Sequence, residues 1–219
     1  MARPTLNDDE RALRRAQLLT VAHALFRQTQ TLPSVSAIVT AAGVAKGTFY
    51  LSFGSKEEVF VALLEDSFGA LIGAVVPAIA ALPADAQAAA EQFSARFADA
   101  VAATPDLLPL AGMTNSVLEK NLPLPTMLAF KQGLVAGLEA AALALSHSAL
   151  RLDQAEGVAL LLRTWSMTLG LWQALDFPIA LRSHLKQAPL NVFDRDFSVE
   201  LRQAVYALWK GTLSQPARR

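Results

Sequence analysis

The stretch Ser34-Val-Ser-Ala-Ile-Val-Thr-Ala-Ala-Gly43-Val-Ala-Lys46-Gly-Thr-Phe-Tyr50-Leu-Ser-Phe53 decides how this chain folds. Ser34 stands where a helix needs a cap, since its hydroxyl can accept an N–H left unpaired at a helix start. Val35, Ile38 and Ala41/Ala42 follow at helical spacing. Gly43, free to take positive φ, then breaks that helix. A second short helix is expected over about Lys46–Tyr50, with small or polar residues at its start. Val35, Ile38, Val44 and Phe49 supply an apolar seam joining the two helices to each other and to the helix before them. Lys46, Thr48 and Tyr50 are left as exposed donors. A second helix presented in this way enters a DNA major groove with its N-terminal residues at base edges.

Outward from this stretch the pattern stays helical. Upstream, Asn7 and Glu10 have capping-box spacing, and Leu18/Leu19, Ala22 and Leu25/Phe26 recur as one face of a first helix. Downstream, Ser55-Lys-Glu-Glu58 is a capping box opening a fourth helix, with Val59/Phe60, Leu63/Leu64, Phe68 and Leu71 inward and Pro77 as its end. Lys56, at that helix start, suits a phosphate, helped by the free backbone N–H groups there. Further helices are predicted over 85–103, 106–118 with a kink at Pro109, and from Pro125 through the stripe Phe130, Leu134, Leu138, Ala141 and Leu145. Asp153 and Glu156 open another, reaching about Asp176 before Pro178, and a last helix covers 194–213. Alanine and leucine together make 77 of the 219 residues, and no strand-like alternation or Asn-Gly hairpin signal interrupts them. The fold class is therefore all-α, with about nine helices.

Composition narrows the chemistry. The absence of cysteine excludes disulfides, thiolate metal sites and thiol nucleophiles. His23, His147 and His184 are too scattered for a metal site, so no metal and no cofactor is expected. There is no Gly-rich phosphate loop, no Gly-x-Ser-x-Gly and no obvious triad, which argues against an enzyme. A hydrophobic share of 53% and a mean hydropathy of +0.34 raise the question of a membrane. One uncharged run of 18 residues, 67–84, contains Pro77 and Pro83 and reads as a buried helix followed by a loop. No apolar leader follows Met1, so a soluble, cytoplasmic protein without a membrane partner is expected. The net charge is zero but unevenly placed. Residues 1–56 carry seven basic against three acidic side chains, and the remainder twelve against sixteen, giving +4 and −4. A basic end on an acidic body suggests different partners for each.

In sequence, Leu25-Phe26, Ser34-Val35, Ile38, Ala41-Ala-Gly-Val44, Lys46-Gly-Thr-Phe-Tyr50, Phe53 and Ser55-Lys-Glu57 resemble the tetracycline-repressor (TetR) family of bacterial transcription regulators. They fall in the family's order and spacing across about 45 residues. The resemblance implies a three-helix helix-turn-helix DNA-binding domain over 1–55, with its motif at about 34–53. A larger domain for effector binding and dimerisation would follow over 56–219. It also implies roles residue by residue. Lys46 and Thr48 would meet base edges or nearby phosphates, and Tyr50 and Lys56 would clamp the backbone. Ser34 would cap and touch phosphate, Gly47 would allow close approach to the sugar-phosphate chain, and Phe49 would be core. Pro33, Ala45 and Leu51-Ser52 depart from the family's frequent threonine, serine and histidine/aromatic residues. Some polar contacts would then move, to Ser52, Arg27 or Thr40.

The body carries no motif of comparable specificity. Ala155, Val158, Leu162, Trp165, Leu169 and Trp172 form a heptad-like seam, and the last helix a similar one. The family's dimers pair their last two long helices, so Leu162, Leu169, Trp172, Leu201, Val205 and Leu208 are the expected homodimer interface. Burial within one subunit would produce the same periodicity. For a small apolar effector the expected pocket residues are Phe93, Phe97, Met113, Met127, Phe130 and Trp165, with Asn115, His147 or Thr168 as polar anchors. The function expected is that of a homodimeric repressor, released from a pseudo-palindromic double-stranded operator by that effector. The competing reading is a helical small-molecule-binding or interaction protein of the same fold with weak or no DNA binding.

Overall fold

A computed structural model of the chain describes residues 8–114 and 121–214. Among these there are ten α-helices, one 3-10 turn and no strand. The helices are α1 (Asp8–Thr29), α2 (Val35–Ala42), α3 (Lys46–Tyr50), α4 (Lys56–Ala80), α5 (Ala86–Ala102), α6 (Leu107–Gly112), α7 (Leu124–His147), α8 (Gln154–Leu175), α9 (Ile179–Arg182) and α10 (Phe197–Leu213). The cap read from sequence at Asp153 forms, its Oδ2 accepting from the Ala155 N–H at 3.0 Å, and Asp85 caps α5 in the same way, its Oδ1 accepting from the Ala88 N–H at 2.8 Å. The last helix starts later than expected, because Asp196, not Asp194, is its N-cap. The single turn α9 was not anticipated. The capping role expected of Asn7, the anchor Asn115 and the rest of the helix predicted to 118 lie outside the described residues.

Pro77 does not end the fourth helix, which runs on to Ala80. An internal proline forfeits one backbone hydrogen bond and crowds the carbonyl four residues back. Here that residue is Gly73, exposed and without a Cβ, while Ala78, Ile79 and Leu82 just beyond are buried. Burying that apolar surface outweighs the lost bond.

The described residues fall into two compact units. The first takes the described chain to Ser67 and adds 113–114 and 121–131, so it extends past the boundary expected at residue 55. Its core joins Leu18, Ala22 and Phe26 of α1 to Ile38 of α2, Phe49 of α3, and Val59, Phe60 and Leu64 of α4, all fully buried. The Phe26 and Phe60 rings pack at 5.9 Å. The fourth helix must belong to this unit as far as Leu64, because without it Phe26 would face water.

The second unit comprises 68–112 and, among the described residues, 132–214. Its described helices are built around α10, which packs on α5 and α8. Trp209 stacks on Phe93 with ring centroids 3.6 Å apart, and Phe93 on Phe97 at 5.5 Å. The buried Trp209 indole donates to Thr164 Oγ1 at 3.0 Å, while that hydroxyl donates to the Leu160 carbonyl at 2.8 Å. Both polar groups are thereby satisfied inside the core. α7 meets α8 where Gly157 lies against Ala142, so that a Cβ on Gly157 would be 3.4 Å from the Ala142 Cβ. α4 and α7 are long and apolar enough to cross a membrane by length and composition, a test that core helices also pass.

Candidate nucleic-acid interface

The first unit presents α3 through a chain of local causes. Ser34 is the N-cap of α2, its Oγ accepting from the Ala37 N–H at 3.1 Å. At the other end Gly43 takes φ 65° and ψ 32°. Its N–H donates to the Thr40 carbonyl at 3.2 Å, and the Val44 N–H to the Val39 carbonyl at 3.0 Å. This pair of bonds is the Schellman arrangement, which satisfies the carbonyls left over at a helix end. A Cβ on Gly43 would meet nothing within 4 Å, so the backbone angle, not space, demands glycine there. Gln17 of α1 ties the turn down, its Nε2 donating to the Ala42 carbonyl at 3.0 Å while its Oε1 accepts from Arg14 at 3.0 Å.

α3 follows from Ala45, which has no side-chain cap to offer, so backbone bonds alone close its first turn. Phe49 is fully buried and holds the helix in place, with Phe53 at 5.9 Å and the Tyr50 ring edge-on at 5.4 Å. With Phe49 inward, Lys46, Gly47 and Tyr50 are exposed, and Thr48 and Ser52 are half-buried. Ser34 is exposed too, at the start of α2. Lys56 is half-buried at the start of α4, with Nζ 3.9 Å from Glu57 Oε1, a contact loose enough to leave the ammonium available. The α4 start is less open to an anion than its sequence suggests. Ser55 Oγ accepts the Glu58 N–H at 3.2 Å, and Glu58 Oε2 accepts the Gly54 N–H at 2.7 Å.

One contributor escaped the sequence reading. The Arg15 guanidinium lies 4.2 Å from the centroid of the Phe53 ring, covering the residue that closes the reader. A pairing across 38 positions leaves no periodic trace in sequence.

The expected pocket residues do not gather in one unit. Met113, Met127 and Phe130 fall in the first and Phe93, Phe97 and Trp165 in the second. Phe93 is closed between Trp209 and Phe97, and Trp165 packs edge-on to Phe68 at 4.7 Å. Thr168, buried, spends its hydroxyl on the Thr164 carbonyl at 2.7 Å, and His147 is exposed.

The expected interface set requires a correction. Leu201 and Val205 are fully buried within the single chain, on the Trp209 face of α10, and so are not free to meet a second subunit. The heptad-like spacing belongs to the chain's own core at these two positions. Leu162 is 52% exposed, whereas Leu169, Trp172 and Leu208 are half-buried. Trp172 is also engaged internally, since a Cβ on Gly112 would fall 2.8 Å from its ring.

Comparison with known proteins agrees with this architecture. Residues 18–63 match the family model for bacterial regulatory proteins of the tetR family, and residues 67–216 the tetracyclin repressor-like C-terminal domain. No curated protein sequence matches the chain. The fold is similar to that of the fatty acid degradation regulator FadR from Bacillus halodurans, with a TM-score of 0.56 and 17% identity over 99% of this chain and 100% of that one. The regulator PfmR from Thermus thermophilus aligns with a TM-score of 0.54 and 18% identity over 92% and 99% of the two chains. FadR from Bacillus subtilis, solved in complex with stearoyl-CoA, gives 0.52 and 18% over 89% and 96%.

Proposed function

Because the chain belongs to the tetR family of bacterial regulatory proteins, we propose that it acts in the cytoplasm as a homodimeric repressor. It binds a pseudo-palindromic operator through Ser34, Lys46, Gly47, Thr48, Tyr50, Ser52 and Lys56, and a small apolar effector releases it. The observation that carries this reading is the Gly43 turn, which buries Phe49 and leaves Lys46, Gly47 and Tyr50 outward. Lys46 and Thr48 supply donors to base edges, and Tyr50, Ser34 and Lys56 supply donors to phosphates. Two copies are needed because recognition helices must reach groove faces about 34 Å apart. The exposed Leu162 and the half-buried Leu169, Trp172 and Leu208 are the residues available for that pairing.

The alanine- and leucine-rich body supports an apolar effector, and an acyl thioester of the kind bound by the Bacillus subtilis protein is the first probe to try. The shared helix α4 supports a mechanism. It starts at Lys56 beside the reader and runs unbroken to Ala80 in the second unit, where Phe68 packs on Trp165. An effector that prefers a displaced α4 shifts the population away from the DNA-competent form.

The test is a gel shift with duplex DNA from the region flanking the protein's own gene, over a range of salt, with and without stearoyl-CoA. Specific binding that Lys46→Ala abolishes, and that the thioester weakens, is expected. Binding no tighter than to random duplex would instead favour an interaction protein that retained only the fold.

A further inference from the structure

The outward face of α3 carries a group that none of these roles uses. Leu51, the C-cap of α3, is 67% exposed, whereas Phe49 and Phe53 on either side are buried. Its φ of −77° and ψ of −19° are helical, and its N–H donates to the Gly47 carbonyl at 3.3 Å. Residues four apart share a face, and helical side chains lean toward the N-terminus. Leu51 and Gly47 therefore share one face of α3, one turn apart, with open space above the bare backbone of Gly47. Gly47 has no internal reason to be glycine: its backbone is helical, and a Cβ would meet nothing within 4 Å. With no side chain at Gly47, the backbone on this face is open to whatever approaches it.

The polar inventory of the reader says what that approach can recognise. Between Ala45 and Ser52 the side-chain hydrogen-bonding groups are those of Lys46, Thr48, Tyr50 and Ser52. Lys46 can meet guanine O6 and N7, but there is no asparagine or glutamine to pair with adenine, and none of these groups reads a methyl. The one apolar group on a base edge in the major groove is the thymine C5-methyl. Resting on the DNA-binding reading above, we propose that Leu51, exposed one turn after Gly47 on the same face, is a specificity-determining residue of this protein and recognises thymine through its C5-methyl group. Gly47 lets the base edge come close, and Leu51 covers the methyl.

The experiment uses the full chain and duplexes it enriches from a random pool. Each thymine of the enriched half-site is replaced in turn by deoxyuridine, which lacks only the methyl, and binding is measured for the wild type and for Leu51→Ala. At one thymine, deoxyuridine is expected to weaken wild-type binding about fourfold, the equivalent of one buried methyl. Leu51→Ala should lose a similar factor on the thymine duplex and be indifferent to deoxyuridine there. Its melting curve should match the wild type, since the side chain is exposed. A wild type indifferent to every deoxyuridine, or a variant that keeps the full sensitivity, overturns the inference and leaves the DNA-binding reading standing. If no duplex is enriched, both fall together.

Discussion

Gly43 and Glu65 show how much of this molecule rests on single side chains. At Gly43 a φ of 65° is needed for the bonds from Gly43 and Val44 back to Thr40 and Val39, and any Cβ there is strained although space is open. Gly43→Ala should lower stability by about 1–2 kcal/mol, read as a lower urea midpoint at unchanged slope. Operator affinity should fall with it, because the turn sets the angle of α3. An unchanged midpoint would mean that the turn adopts another geometry in solution. Glu65 of α4 is exposed overall, yet burial of its carboxyl raises its pKa above the ordinary value. Attraction by Arg15 opposes that shift and the neighbouring Asp66 adds to it. The folded state therefore holds this proton more tightly than the unfolded chain does, so the charged carboxylate destabilises the fold. That penalty is complete above the folded pKa and gone below the unfolded one. Glu65→Gln should melt slightly higher than the wild type at pH 7, and the difference should vanish as the pH falls through the raised pKa. A gap that widened in acid would show that the Arg15 attraction dominates.

Two helices, α8 and α10, separate what supports one chain from what is available to a second. On α10 the core face is Leu201, Val205 and Trp209, fully buried, and the opposite side includes Val199, 52% exposed. Leu201→Ala should cost about 2–5 kcal/mol of stability, the range for emptying a packed leucine site. Leu162→Glu on α8 should instead leave the helical circular dichroism intact and shift the mass by light scattering from dimer to monomer. If Leu162→Glu stays dimeric, the pairing surface lies elsewhere. Sequence alone could not make this distinction, since the same seven-residue spacing arises from burial by the chain's own helices. Signals that act over one turn were legible: Ser34, Gly43, Ser55 and Asp153 all sit where capping chemistry requires them. Contacts across long separations were not. Phe93 on Trp209 and Arg15 on Phe53 depend on how helices cross, and Pro77 stayed inside α4 because buried residues beyond it outweigh a local penalty. The local turn that presents α3 was therefore readable in sequence, whereas the packing of the helices in the body was not.

For the whole chain, a net charge of zero at first argues against a nucleic-acid partner, but affinity for DNA depends on which cations reach phosphates. Residues 1–56 hold +4 and the remainder −4, so the net attraction lies with the segment that carries the reader. Of the residues assigned to DNA here, only Lys46 and Lys56 carry a positive charge. Each phosphate neutralised by a cation contributes about 0.9 to the slope of log affinity against log salt. A dimer using both lysines in each subunit should thus show a slope of about −3.6. Lys56→Gln, which removes two cations per dimer, should flatten the slope by about 1.8 and weaken operator and random DNA by similar factors. Lys46→Gln should do more to the operator than to random DNA if Lys46 reaches a base edge. A Lys56→Gln slope equal to the wild type would mean that Lys56 remains with Glu57 in the complex and that other cations hold the backbone. A wild-type slope much steeper than about −3.6 would point the same way, to the arginines of α1. With so little electrostatic attraction, discrimination between operator and other DNA must come from the shape of the reader and its contacts with base edges.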